Sequence, residues 1–273
     1  VLLAAVLLKM GTYGFIRFAM PLFPDATLRF LPWLIGLSIV AILYGAMVAT
    51  VQPNVKKLVA YSSVSHLGFV TLGLFVLNAQ GVSGAVLQMV NHGLSTGALF
   101  LLVGMLYERR HTYEIDQFGG LAKPMPVFAT FFLIVTLSSI GLPGLNGFVG
   151  EFLVLLGAFR ANPWYAIPSA VGVILAAVYM LRMYQRVMFN GLDKEENRSV
   201  PDLGRRELAI LVPIAVLIVW LGVYPKPFLD KLEPAVQGFL AQVEASEAPL
   251  AATSDALPPA IAAGETPTGA GAR

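Results

Sequence analysis

The sequence predicts an all-α, polytopic transmembrane helix bundle, and three observations predict it. Of 273 residues, 57% are hydrophobic and only 12% are charged, about half the charged share of ordinary soluble domains. Mean hydropathy is +0.74. The apolar residues also fall into about seven stretches, each near or above the ~20 residues that cross a bilayer, and none alternates as a barrel strand would.

The first stretch runs from residue 1 to about 20. Its first residues, Val1 to Leu8, are all apolar. No basic flank precedes them and no small-residue cleavage site follows, so this is a helix and not a signal peptide. A chain that opens inside a helix is expected to be the C-terminal part of a longer membrane protein. The next spans are roughly 31–51, 54–77 and 82–107. Phe23-Pro24-Asp25, Gln52-Pro53-Asn54 and Asn78-Ala79-Gln80-Gly81 separate them as turn signals. The fifth, at about 125–159, is too long for one straight span and too short for two with an ordinary loop. Gly141-Leu142-Pro143-Gly144-Leu145-Asn146-Gly147 interrupts it. Glycines and a proline do not sit inside a sound helix, so this is a discontinuous helix broken at mid-membrane. Backbone groups freed at such a break must be buried in protein or line a cavity. The last two spans are roughly 164–188 and 207–224. An amphipathic segment at about 226–243 is expected to lie in the membrane interface. The Ala-, Pro- and Gly-rich stretch from 244 to 273 reads as a disordered tail.

Loop cations set the orientation. Lys56, Lys57, Arg109, Arg110, Lys123, Arg182, Arg186, Lys194, Arg198, Arg205 and Arg206 flank alternate connections, against Arg17, Arg29, Arg160, Lys226 and Lys231 on the other side. The richer side faces the cytoplasm, and the C-terminus lies opposite. These charges read as topology and solubility, with Arg182 and Arg186 snorkelling. The net charge of +2 excludes a basic nucleic-acid surface. With no cysteine, the chain holds no disulfide or Fe–S cluster. No phosphate-binding glycine motif or nucleophile triad appears.

Ionisable groups inside lipid are costly, so their depth is informative. His66 lies about 18 Å into its span, His92 about 15 Å and Lys9 about 16 Å, at ~1.5 Å per residue. All three therefore fall near the middle of a core about 30 Å thick. Glu151 follows the break by about one turn. The helix N-terminus favours its carboxylate, whereas desolvation favours the neutral acid. Each group alone has a structural reading: a snorkelling lysine, packing histidines, an acid bonded to N–H groups of the break. Their common depth argues against those readings, because packing has no reason to align them. His111 reads as a surface residue.

Several motifs carry a family resemblance. Leu7-Leu8-Lys9-Met10-Gly11-Thr12-Tyr13-Gly14, the run Lys57 to Gly68 (KLVAYSSVSHLG) and Asn91-His92-Gly93-Leu94 resemble the antiporter-like proton-channel subunits of respiratory complex I. So does Gly141-Leu142-Pro143 with Gly147-Phe148-Val149-Gly150-Glu151-Phe152. Glu151, where most of the family has lysine, and the loop Tyr107-Glu108-Arg109-Arg110-His111-Thr112 resemble the M-subunit branch. The resemblance covers a membrane domain at about 1–225 and makes roughly 31–190 one inverted five-helix repeat. It implies a proton relay in which Lys9 is the central member, His66 and His92 lie on the path and Glu151 is the outlet. Ser62, Ser63 and Ser65 would help carry protons. NADH, FMN, Fe–S clusters and quinone are implied for partner subunits, with no cofactor or metal in this chain. The implied partners are the other membrane-arm subunits, especially two neighbouring antiporter-like ones, in a bacterial inner membrane. Two alternatives stand beside it: a subunit of a multi-subunit sodium/proton antiporter, and a structural subunit that moves nothing.

Overall fold

Proline and asparagine set where the helices begin. Pro24, Pro126 and Pro163 each occupy a first helical position, where a missing N–H costs nothing. Asn54, Asn78 and Asn162 are N-caps whose side-chain oxygens accept from Lys57, Gly81 and Trp164 N–H. The computed structural model describes residues 1–255. The first span, Leu3–Leu22, contains α1 (Leu8–Gly14) and α2 (Met20–Leu22), with π-helical turns at Leu3–Leu7 and Phe15–Ala19. Then come α3 (Pro24–Thr50), α4 (Val55–Phe75), α5 (Ala79–Arg110), α6 (Pro126–Ile140), α7 (Asn146–Ala161) and α8 (Pro163–Met188). The short α9 (Glu195–Arg198), α10 (Arg205–Val223) and α11 (Lys226–Asp255) complete the described residues.

Among the described residues, six helices are long and apolar enough to cross a membrane, and α6 is a shorter apolar helix. With the pair α6–α7 as one interrupted span, this is the architecture the sequence predicts. Gly141 ends α6 in a left-handed conformation at φ 79°, which a side chain would resist. Three helices differ in extent. α3 begins at Pro24 instead of near 31, and α5 runs 32 residues, beyond 82–107 at both ends. Hydropathy marks only the part in hydrocarbon, whereas caps fix the helix ends. α11 continues to Asp255, past the expected end at 243. The alanine-rich composition there disfavours a packed core but not a helix. The rest of the expected tail, 256–273, lies outside the described residues.

Helices α4 and α5 are the most buried spans, and α3, α8, α10 and Leu3–Leu22 show most of their surface outward. Small residues let these backbones approach closely. A Cβ at Gly68 would meet Ile42 and the Ser38 carbonyl, and one at Gly84 would meet Val154 N–H and Leu153. Two apolar clusters result. One gathers Leu58, Val59, Leu102, Phe128, Tyr184 and Val187 toward the loops before α4 and after α5. The other gathers Met20, Ile35, Phe69, Leu72, Val82 and Val154 toward the opposite end. Between them α4 and α5 turn polar: Ser62, Ser63, Ser65 and His66 on one, Gln88, Asn91, His92, Ser95 and Thr96 on the other, all buried.

The three connections expected on one side do meet. Val55 N–H donates to Tyr113 O at 2.9 Å, and Ile115 N–H to Pro53 O at 2.8 Å. Arg109 forks onto Glu207, Nη1 to Oε1 at 2.7 Å and Nη2 to Oε2 at 2.6 Å, and also donates to the Pro201 and Asp202 carbonyls. Asp202 accepts from Val127 and Phe128 N–H at 2.8 and 2.9 Å, satisfying the start of α6. Arg110 pairs with Glu196 at 3.0 Å. Arg186 pairs with Asp116, which corrects the snorkelling expectation for it; Arg182 is exposed. His111 is exposed as expected, in a left-handed conformation that ends α5.

Candidate functional site

The four ionisable groups singled out from the sequence converge in the buried polar layer. Lys9, His66, His92 and Glu151 are 7%, 4%, 3% and 4% exposed. Lys9 Nζ lies 2.8 Å from the Ala4 carbonyl, in the π-helical turn, and 2.6 Å from His92 Nδ1. The rings of His92 and His66 are 5.5 Å apart between centroids. His66 Nδ1 is 2.8 Å from Glu151 Oε1. A continuous run of contacts thus joins the first span, α5, α4 and the half-helix α7.

These partners constrain the imidazoles. An ammonium at Lys9 donates to His92 Nδ1, which leaves the ring proton of a neutral His92 on Nε2. A carboxylate at Glu151 accepts from His66 Nδ1–H, which leaves His66 Nε2 bare. Both Nε2 atoms are buried without a protein partner. The two histidines line a small cavity together with Gln88, Asn91, Ser95, Thr96, Ser138 and Ser139. It has room for roughly one water molecule and the polar groups to bind it.

The break is held by groups that the sequence reading did not single out. Asn146, fully buried at the first position of α7, accepts at Oδ1 from Ser138 Oγ at 2.5 Å. Its Nδ2 donates to Asn91 O at 3.3 Å, and its carbonyl accepts from Asn91 Nδ2 at 2.7 Å. Ser95 and Ser138 hydroxyls are 2.6 Å apart. The last turn of α6 and the first of α7 are therefore tied to each other and to α5. Gln88 Nε2 donates to Glu151 Oε1 at 2.9 Å. Glu151 is bonded by His66 and Gln88 rather than by N–H groups of the break.

A signal for these residues existed. Gln88, Asn91, His92, Ser95 and Thr96 recur at helical spacing on an otherwise apolar span, one polar stripe turned inward. The serines on α4 play a different part from the one expected. Ser62 and Ser63 donate to the Val59 carbonyl, at 2.8 and 3.2 Å, and Ser65 donates to Ile42 O at 2.8 Å. The hydroxyls at the cavity come instead from α5 and α6.

Comparison with known proteins shows the family and the fold. The family model described as NADH:quinone oxidoreductase/Mrp antiporter, TM, matches residues 1–196. The chain is 50% identical over 236 residues to NADH-quinone oxidoreductase subunit M of Rhodobacter capsulatus, covering 86% of this chain and 46% of that one. It is 47% identical over 240 residues to NADH-ubiquinone oxidoreductase chain 4 of Marchantia polymorpha, covering 88% and 48%. Among solved structures, a chain of respiratory complex I from Thermus thermophilus with bound NADH is similar at a TM-score of 0.83 and 38% identity, over 87% of this chain and 50% of that one. The chain spans about half the length of the curated relatives it matches.

Proposed function

The chain belongs to the NADH:quinone oxidoreductase/Mrp antiporter transmembrane family, and on that premise we propose that it is a proton-translocating part of the membrane arm of NADH:quinone oxidoreductase. Lys9, His92, His66 and Glu151 form its relay. The observation that carries this reading is the buried file of these groups, 2.6 Å from Lys9 to His92 and 2.8 Å from His66 to Glu151, with the two imidazole rings 5.5 Å apart between the pairs.

The tautomers set by Lys9 and Glu151 polarise the whole path in one direction. A proton leaves Lys9 Nζ for His92 Nδ1 as His92 Nε2–H gives its own to the cavity water. That water protonates His66 Nε2, and His66 Nδ1–H passes its proton to Glu151. The ammonium and carboxylate become neutral amine and neutral acid, and both imidazoles end neutral. Charge arriving from the redox arm sets which end holds the proton. Each proton moved against 100 mV requires about 2.3 kcal/mol. A shift of two pKa units in this desolvated layer supplies about 2.7 kcal/mol, which suffices. NADH oxidation, flavin and Fe–S chemistry and quinone reduction belong to partner subunits, with neighbouring antiporter-like subunits flanking this one in the inner membrane. Residues 31–190 act as one five-helix repeat, and the C-terminus faces away from the cytoplasm.

The test is Glu151→Gln in the full-length protein within the assembled complex, with NADH-driven quinone reduction and proton uptake measured in vesicles. Loss of both with assembly intact is expected. Unchanged reduction and uptake would make Glu151 architectural and remove the relay.

A further inference from the structure

Gln88 is the strongest candidate for an unassigned role, because its orientation is imposed from outside. An amide side chain can present either N–H or C=O, and only its network decides which. The network here starts at a group with no choice, the backbone carbonyl of Asn146. It accepts from Asn91, so Asn91 must turn its Nδ2 that way, at 2.7 Å. That same Nδ2 lies 3.5 Å from Gln88 Oε1, a longer contact of the same sign. Gln88 therefore turns its oxygen to Asn91 and its Nε2–H to Glu151, at 2.9 Å. Gly150 makes the approach possible: a Cβ there would collide with the Gln88 side chain and come within 3.1 Å of Asn91 Nδ2.

The two oxygens of Glu151 consequently differ. Oε1 receives both His66 Nδ1 and Gln88 Nε2. Oε2 lies 3.2 Å from where a Cβ of Gly141 would stand, against the break. A carboxyl's bare oxygen accepts hydrogen bonds better than its hydroxyl oxygen. A proton delivered by His66 to Oε1 thus lands on the oxygen that Gln88 prefers bare. We propose that, once His66 Nδ1 again carries a proton, Gln88 acts as a positioning residue that drives a half-turn of the protonated Glu151 carboxyl about its Cγ–Cδ bond. The turn carries the O–H from the side of His66 to the side of Gly141, and brings the bare oxygen to Gln88. No bond forms or breaks in this step. The titratable groups around it are His66 on α4, His92 on α5, Tyr179 on α8 and Lys9 on the first span. The inference rests on the relay reading given above, since it needs Glu151 to carry the proton.

The test compares Gln88→Leu and Gln88→Glu with Glu151→Gln in the intact complex. Proton uptake is measured across pH, and infrared difference spectra record the carboxylic C=O stretch lost in Glu151→Gln. In Gln88→Leu that band is expected to move to higher wavenumber, because its carbonyl oxygen has lost an N–H donor, and uptake is expected to fall about tenfold, the worth of one hydrogen bond. Gln88→Glu is expected to recover uptake at acid pH, where its own carboxyl is protonated and donates, and to lose it as pH rises and that donor ionises. An unmoved band with unchanged uptake in Gln88→Leu overturns the proposal. If Gln88→Leu does not assemble, a pH profile of Gln88→Glu identical to that of the unmodified complex overturns it. Either result beside an inactive Glu151→Gln removes the role of Gln88 alone. Full uptake in Glu151→Gln removes the relay and this role together.

Discussion

The polar layer at mid-membrane and the polar lattice at the loop side use similar side chains to opposite ends. In the lattice, acids and arginines meet as fixed pairs. Arg109 forks onto Glu207 and two carbonyls, and Asp202 satisfies three N–H groups, those of Val127, Phe128 and Leu203. A charge held by that many bonds has no reason to move. In the layer, the ionisable groups sit in single file as two bonded pairs, Lys9 with His92 and His66 with Glu151, whose imidazole rings face each other at 5.5 Å. Several polar atoms there have no protein partner, among them both histidine Nε2 atoms and the Thr136 and Ser139 hydroxyls. Unpaired polar atoms cost free energy wherever they are buried, and among the described residues most of them gather in the layer, with Arg110 Nε and Asn197 Oδ1 the exceptions at the loop side. The lesson is that satisfaction, more than composition, separates the structural polar region from the working one.

Substitutions can break that comparison, and they rank by size. The largest stability effect is expected at Arg109→Leu, which strands the half-buried Glu207 carboxylate and costs about 3 kcal/mol. Thermal inactivation of the purified complex should show it, with turnover per assembled complex little changed. His66→Leu is expected to do the reverse. It removes the link between His92 and Glu151, so proton uptake should fall about a hundredfold, or ~2.7 kcal/mol, while the melting temperature falls less than in Arg109→Leu, because Glu151 keeps Gln88 and can take up a proton. If instead His66→Leu chiefly destabilises and Arg109→Leu chiefly slows uptake, the division of labour is wrong. Asp202→Ala removes the acceptor at the start of α6 and should cost about 1 kcal/mol, read as a lower melting temperature. The smallest effect is expected at Arg186→Ala. Its pair with Asp116 is largely exposed, so melting should move by no more than about 0.5 kcal/mol would produce.

Much of the layer was legible in the sequence because a bilayer punishes each polar residue individually. Lys9, His66, His92 and Glu151 stood out as single costly residues at one depth. The lattice was less legible. Arg109 and Glu207 are 98 positions apart and each looks like an ordinary loop charge. Arg186 read as a snorkelling side chain for the same reason. Ser62, Ser63 and Ser65 misled because depth alone does not say which way a hydroxyl turns: theirs bond to backbone, whereas Ser95 and Ser138 face each other.

The sequence by itself determined the class of fold, the number of spans, the break at Gly141 and the common level of the four ionisable groups. Transfer into lipid is summed along the chain, and residue counts convert directly into depth. Only the tertiary structure decided which of those groups touch, in what order, and what surrounds Glu151. Those facts depend on the rotation of α4, α5 and α7 about their own axes. That rotation is set by where glycines such as Gly84 and Gly150 admit a neighbour, a property of two surfaces meeting that no single helix carries.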